Sequence, residues 1–220
     1  MNIALIVFAG SGTRMNTSIP KQFIKVKNKE LVIYTINKFV ENKNIDEIIL
    51  VTSKDFLDYT KELVTKYNLK KISKVVEGGA TRQESVRLGL QSLNCDKNDI
   101  VLIHDGDRPM VSENIINQCI DYLKDYDACC PILNIDKRLP DISNSGRTRI
   151  VNDTEVDIQT PQTFKYGLIL SKHNENTDKS FSDDVGLVEN DVEVKFFEGD
   201  PLNFKVTQPK DLAFFEKLLK

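Results

Sequence analysis

The sequence predicts an α/β fold: a mostly parallel sheet covered on both faces by helices, with a protruding hairpin-like arm. Three observations carry this. Short apolar runs such as Ile3–Phe8, Ile48–Val51 and Ile100–Ile103 lack polar alternation, the pattern of strands buried on both faces. Segments with a helical apolar stripe alternate with them at the βαβ rhythm. Polar clusters follow strands at Gly10–Met15, Gly78–Arg82 and His104–Arg108, where open α/β sheets bind ligands.

In chain order, Ile3–Phe8 has the length and β-branched content of a first strand. Ile24–Val26 reads as a short edge strand turned by Asn28. Leu31–Val40 carries a helical stripe through Leu31, Ile33, Tyr34, Ile36 and Phe39. Ile48–Val51 is a strand and Phe56–Tyr67 a helix. Val75–Val76 is a short strand, and the glycine turn after it opens a helix through Ser85, Val86 and Leu90. Ile100–Ile103 is a strand, Ile115–Leu123 a helix and Ala128–Ile132 a strand. Residues 134–158 break the rhythm with turn signals at Leu139-Pro140, Asn144-Ser145-Gly146 and Asn152-Asp153, and read as the arm. A helix is expected around Tyr166–His173, with His173 on the surface. Another is expected from Ser182 as its cap. Val192–Glu198 and Leu202–Val206 read as strands and Asp211–Leu219 as a closing helix.

The 220 residues, 40% hydrophobic, suit one domain over 1–220 with the arm inside it. A net charge of -3 with dispersed cations speaks against nucleic acid as a partner. No apolar run reaches a bilayer span, and Met1–Phe8 lacks a cationic leader and cleavage site. Cys95, Cys119, Cys129 and Cys130 lack zinc-site spacing, and the adjacent pair fits a buried strand. A cytoplasmic protein with no membrane partner is expected.

The chemistry is expected in the three loops. Gly10-Ser11-Gly12-Thr13-Arg14 leaves backbone N–H groups open to a ligand, and Lys21 adds a second cation, an arrangement that suits a nucleotide triphosphate. It matches neither the Walker loop nor a dinucleotide fingerprint. Asp105, at a strand end, is the preferred magnesium ligand; Asp107 is left open. Arg82 and Ser85 share a helix face and suit phosphate or ribose. Lys205 alternates with Phe204 and Val206 and points into the cleft. His104 reads as an orienting residue, not a base. This inventory suits nucleotidyl transfer, where positioning and charge neutralisation do most of the catalysis.

Several segments then carry a resemblance over nearly the whole chain. They are Phe8-Ala9-Gly10-Ser11-Gly12-Thr13-Arg14-Met15, Pro20-Lys21-Gln22, Gly78-Gly79 with Arg82 and Ser85-Val86, and His104-Asp105 with Arg108-Pro109. Gln159-Thr160-Pro161-Gln162 with Phe164, Asp183-Asp184, and Asn203–Thr207 with Pro209 and Asp211-Leu212 complete them. In these the chain resembles the CTP-dependent cytidylyltransferases that include the methylerythritol phosphate and ribitol phosphate enzymes. The resemblance implies a Rossmann-like nucleotidyltransferase fold, a homodimer joined through the arm, and Mg²⁺. CTP would lie over Ala9, Gly10, Ser11, Gly12 and Thr13, with Arg14 and Lys21 on its phosphates. Gly79, Arg82 and Ser85 would hold the cytosine and ribose side, Asp105 the metal, and Lys205 the transition state. The second substrate would be a small phosphorylated polyol.

The departures are specific. Phe8 stands where the family has alanine, and Gly106-Asp107 where it has alanine followed by alanine or valine. The arm has Ile135 and Asn152 at positions the family fills with a threonine and an arginine facing the acceptor phosphate. Arg138, Arg147 and Arg149 are the candidate replacements, since neutral asparagine cannot stand in for a guanidinium fork. The altered arm makes ribitol 5-phosphate or a related pentitol phosphate the first expected acceptor, with 2-C-methyl-D-erythritol 4-phosphate as the alternative. A CTP-binding relative without turnover is a further one.

Overall fold

The apolar runs form strands because every residue in them finds a covered face. In β1 (Asn2–Val7), Ala4 and Ile6 point into one core layer while Ile3, Leu5 and Val7 point into the other. The same split holds in β4 (Glu47–Thr52), with Ile48 and Leu50 opposed to Ile49 and Val51. The first layer is closed by α1 (Leu31–Glu41), α2 (Leu57–Lys66) and α4 (Glu113–Tyr122). The second is closed by α3 (Arg82–Gln91) and α5 (Tyr166–Glu175). The structure is a computed structural model that describes residues 1–10, 15, 19–143, 147–176 and 181–219.

The remaining strands of the main sheet are β5 (Ile72–Glu77), β6 (Ile100–Asp105), β7 (Ala128–Asn134), β8 (Thr148–Val151), β9 (Thr154–Ile158), β10 (Gln162–Lys165) and β11 (Val194–Glu198). Its order is β5-β4-β1-β6-β10-β7-β9-β8, with β11 pairing β7. The block β5-β4-β1-β6 is parallel, and β10 enters antiparallel between β6 and β7. The chain leaves β1 toward β4 on one side and returns to β6 on the other. The crevice beyond the C-terminal ends of β1 and β6 is therefore a topological switch point, where such sheets bind ligands. Gly10, the turn before α3 and the loop after β6 open onto this edge. The strand, helix and sheet expectations hold there, with β6 running two residues further, to Asp105.

Four local expectations change. The segment with Ile24–Val26 is not an edge of the main sheet. It is a separate hairpin, β2 (Lys25–Val26) and β3 (Lys29–Glu30), turned by Lys27 and Asn28 at positive φ. In place of a helix capped by Ser182, the chain forms only the short 3₁₀ turn Val185–Leu187. The Ser182 hydroxyl donates to Asp183, and it is Asp183 that accepts from the Gly186 N–H. His173 is buried, because its face of α5 packs inward and its Nε2 lies 3.2 Å from Asp184 Oδ1. Leu202–Val206 joins no ladder; its ties to the core include the Val206 N–H on the Asp107 carbonyl at 2.8 Å and Asn203 Nδ2 on the Thr160 carbonyl at 2.8 Å. Phe204 and Val206 are nonetheless buried with Phe215 of α6 (Pro209–Leu218), which leaves Lys205 directed the other way.

Residues 148–158 form a β-hairpin whose strand β9 pairs with β7, so it continues the main sheet outward. Its tip is Asn152-Asp153, both at positive φ, the two-residue turn that asparagine and aspartate favour. Cys119, Cys129 and Cys130 are buried and free. Among the described residues no helix is long and apolar enough to cross a membrane.

Glu30, at the start of α1, is a buried carboxylate with no role in the cleft. It accepts from the Tyr67 hydroxyl at 2.6 Å, the Tyr59 hydroxyl at 3.0 Å and the Lys66 ammonium at 3.2 Å. Burial by itself raises its pKa, and these hydrogen bonds outweigh that and hold it at about 2. The contribution to stability is complete above the unfolded value near 4.5 and is lost as pH falls toward 2. Its full size is on the order of 3 kcal/mol. Glu30→Gln is expected to lose about 1–3 kcal/mol at pH 7 and to flatten the acid limb. Urea unfolding at pH 7 and pH 3 checks this; equal acid sensitivity in variant and wild type would refute it.

Candidate active site

Asp105 is the last residue of β6, placed opposite Val7 in the β1 ladder. It lies in the switch-point crevice and draws cations from four parts of the chain. Arg82 Nε, from the first turn of α3, lies 2.9 Å from Oδ1. Arg147, just before β8, reaches Oδ2 at 2.8 Å through Nη1. Lys205 Nζ is 3.0 Å from Oδ2, and Arg108 Nε is 3.8 Å away. Burial alone would raise the Asp105 carboxyl, but Arg147, Lys205, Arg82 and Arg108 hold it well below the ordinary carboxylate range.

Asp107 sits beside it, with Oδ2 2.5 Å from Lys21 Nζ and Oδ1 3.8 Å from Lys205 Nζ. Burial is again outweighed, by Lys205 and Lys21, and its pKa is lowered. Lys205 carries the opposite balance. Burial pushes its ammonium down to about 8 against the pull of Asp105 and Asp107. Arg82 is fixed from behind: its Nη1 lies 2.8 Å from Asp184 Oδ2, and Asp184 is met on its other oxygen by His173. Arg82, then His173, overcome the effect of burial and hold Asp184 at about 2.

His104 is an orienting residue, as expected. Thr160 Oγ1 accepts from the Asp105 N–H at 3.2 Å and lies 3.0 Å from His104 Nδ1. The Thr160 hydroxyl therefore donates to Nδ1, which leaves Nε2–H to donate to the Arg108 carbonyl at 3.2 Å. Burial lowers this imidazole to about 4, so it is neutral at pH 7. Arg108 itself is a buried tie, donating to the carbonyls of Asn203 at 2.7 Å and Ile158 at 3.3 Å.

The cleft in front of these groups has a volume of about 290 Å³. Of the residues expected from sequence, Ala9, Gly10, Lys21, Gly79, Arg82, Ser85, Asp105 and Lys205 all line it. Ser11, Gly12, Thr13 and Arg14 lie outside the described residues. The rim at Gly10 is held by Gln22, whose Nε2 donates to the Phe8 carbonyl at 2.7 Å and the Gly10 carbonyl at 2.8 Å. A Cβ on Gly78 would stand 2.6 Å from the Ala9 Cβ, so glycine is needed where the first two loops touch. The Phe8 departure is matched at Gly106, where a Cβ would come within 2.8 Å of the Phe8 Cβ.

Sequence reasoning did not find Asp184, His173 and Thr160 as supports of the cleft, nor Thr81, which lines it and caps α3 by accepting from the Glu84 N–H at 3.0 Å, although Thr160 and Asp184 lay within the quoted segments. Of the three arm arginines, the structure brings Arg147 to Asp105. Arg138 pairs with Asp157, and Arg149 with Asp183 and Glu189. No spacing rule signalled this, because the hairpin register decides it.

A family model, 2-C-methyl-D-erythritol 4-phosphate cytidylyltransferase, matches residues 2–220. The chain is 41% identical over 226 residues to a protein of that name from Clostridium botulinum, covering 100% of this chain and 97% of that protein. It is 41% identical over 223 residues to one from Clostridium beijerinckii, covering 99% and 97%. Among solved structures it resembles the 4-diphosphocytidyl-2C-methyl-D-erythritol synthase of Anaerococcus prevotii, with a TM-score of 0.80 and 31% identity over 99% of this chain and 95% of that one.

Proposed function

We infer the reaction from the premise that the chain belongs to the 2-C-methyl-D-erythritol 4-phosphate cytidylyltransferase family and is a CTP-dependent enzyme. We propose that its acceptor is 2-C-methyl-D-erythritol 4-phosphate. The observation that carries this is 41% identity to relatives of that name along essentially their whole length. It favours this acceptor over the pentitol phosphate that the altered arm first suggested. The change at Asn152 has a local cause, since that residue makes the hairpin turn, and Arg147 supplies a guanidinium at the cleft from the same hairpin region.

In this reading the triphosphate of CTP lies along Ala9 and Gly10, in reach of Lys21. Gly79, Arg82 and Ser85 hold the cytosine and ribose side. An oxygen of the acceptor phosphate attacks the α-phosphorus in line. A new P–O bond forms, the bond between the α-phosphorus and its bridging oxygen to the β-phosphate breaks, and pyrophosphate leaves with that electron pair. Lys205 steadies the charge gathering on the α-phosphate. Cations outnumber carboxylates around the cleft, which supports binding two phosphorylated substrates at once.

A divalent cation would enter with the substrate phosphates and take an Asp105 oxygen that a cation now holds. Among the described residues no three carboxylate, histidine or cysteine side chains form a cage. Magnesium is commonly held by one or two carboxylates together with substrate phosphates. Asp105 would hold it, and it would supply charge neutralisation on the phosphates. We further propose one domain over 1–220 and a homodimer joined through residues 134–158. The outer strand β8 shows Ile150 68% exposed, in keeping with such a contact.

Pyrophosphate release from CTP tests the acceptor. The expected result is a kcat/KM for 2-C-methyl-D-erythritol 4-phosphate at least about 100-fold above that for ribitol 5-phosphate. The reverse order would restore the pentitol reading, and CTP binding with no turnover on either would make the chain a nucleotide-binding relative.

A further inference from the structure

Asp107 is a buried carboxylate in a cleft suited to polyanions, at a position the resemblance assigns to a small apolar residue. For CTP binding alone it is unfavourable, because it sets a negative charge beside a triphosphate. Its surroundings show what it holds. Its Oδ2 meets Lys21 Nζ at 2.5 Å, and the same ammonium donates to the Val206 carbonyl at 2.6 Å. The Val206 N–H in turn donates to the Asp107 carbonyl at 2.8 Å. Asp107, Lys21 and Val206 thus form a closed circuit joining the β6 loop, the opening loop and the segment before α6. The second oxygen, Oδ1, is buried without a hydrogen-bond partner and stands 3.8 Å from Lys205 Nζ.

We propose that Asp107 is a positioning residue for cytidylyl transfer, whose carboxylate fixes where the ammonium groups of Lys21 and Lys205 stand before substrate arrives. Lysine carries a compact charge on a flexible four-carbon stem with many rotamers. Ordering two such stems in advance removes the cost of fixing them from the reacting complex. Lys21 is held by a charged hydrogen bond and a carbonyl together. Lys205 stands between Asp105 and Asp107, with the free Oδ1 keeping it near the cleft when Asp105 is otherwise engaged.

The inference rests on the proposed nucleotidyl transfer, so its test includes a measurement that needs no turnover. D107N keeps the shape and removes the charge; D107E keeps the charge. In the ligand-free protein, acetylation of Lys21 and Lys205 followed by mass spectrometry is expected to be severalfold faster in D107N than in wild type. In turnover, kcat of D107N is expected to fall about tenfold to a hundredfold, while KM for CTP stays level or drops. D107E is expected to recover most of kcat. Unchanged lysine labelling in D107N overturns the proposal, whether or not the wild type accepts a given polyol phosphate. So does a kcat within about twofold of wild type, or a loss cured by raising Mg²⁺, which would make Asp107 a metal ligand. A silent wild type with the labelling difference intact would refute the acceptor and leave Asp107 as the organiser of the two lysines.

Discussion

Lys205→Ala is expected to lower kcat by about 10²–10³-fold while CTP still binds. Lys205 presents its ammonium to the cleft between two buried carboxylates, in a setting that excludes water from most of the side chain. A charge there acts on the α-phosphate with little screening. Ground-state affinity falls less, because Lys21 and Arg82 remain in the cleft. Lys205→Arg is expected to recover little. The planar guanidinium cannot place one charge in the space between Asp105 and Asp107 that an ammonium fills. The fold should survive, since Asp105 keeps Arg82, Arg147 and Arg108 as partners. Steady-state pyrophosphate release together with CTP binding calorimetry separates the two effects. A kcat loss below about fivefold would remove Lys205 from the reacting centre.

Asp105→Ala is expected to abolish measurable turnover and to destabilise the protein by about 3–5 kcal/mol. Four cations lie within 4 Å of this carboxylate, and three of them, Arg82, Arg147 and Lys205, are brought from distant parts of the chain. Without it they repel one another in a place where water cannot fully solvate them. For a chain of this length the melting temperature should fall by roughly 10 °C. CTP should raise the melting temperature of the variant by more than it raises that of the wild type, because its phosphates replace the missing anion. Thermal unfolding with and without CTP reads both. A variant that melts with the wild type would show that the cations are not held by Asp105.

Most of the sheet and the site were legible because they rest on local pattern. Strands such as β1 and β4 are continuous apolar runs, and their loops carry glycine and charge in adjacent positions. Asp105, Arg82, Lys21 and Lys205 were found as residues that match a chemistry. Their convergence depends on pairing across the chain, which periodicity cannot report. Arg147 illustrates this. The arm has three arginines within a dozen residues, and only the β8–β9 register selects the one that faces Asp105. His173 was misread because a histidine in a polar stretch gives no sign that Asp184 waits behind it. The segment 202–206 was misread as a strand because an alternating pattern describes any extended chain with one covered side. Ladder pairing is a separate condition.

The long reach of the site contacts has a consequence for how the chain matures. Lys21 meets Val206 across 185 positions, and Lys205 meets Asp105 across 100. The strands β1, β4, β5 and β6 come together from the first half of the sequence, while the free edge of β6 waits for β10. During synthesis the sheet can thus take shape before any cleft exists. In the finished protein, release of the segment before α6 would weaken nucleotide binding while the parallel strands remain paired. Bound nucleotide should therefore slow amide exchange at the two ends of the chain together, and its affinity should report complete folding more strictly than secondary structure does.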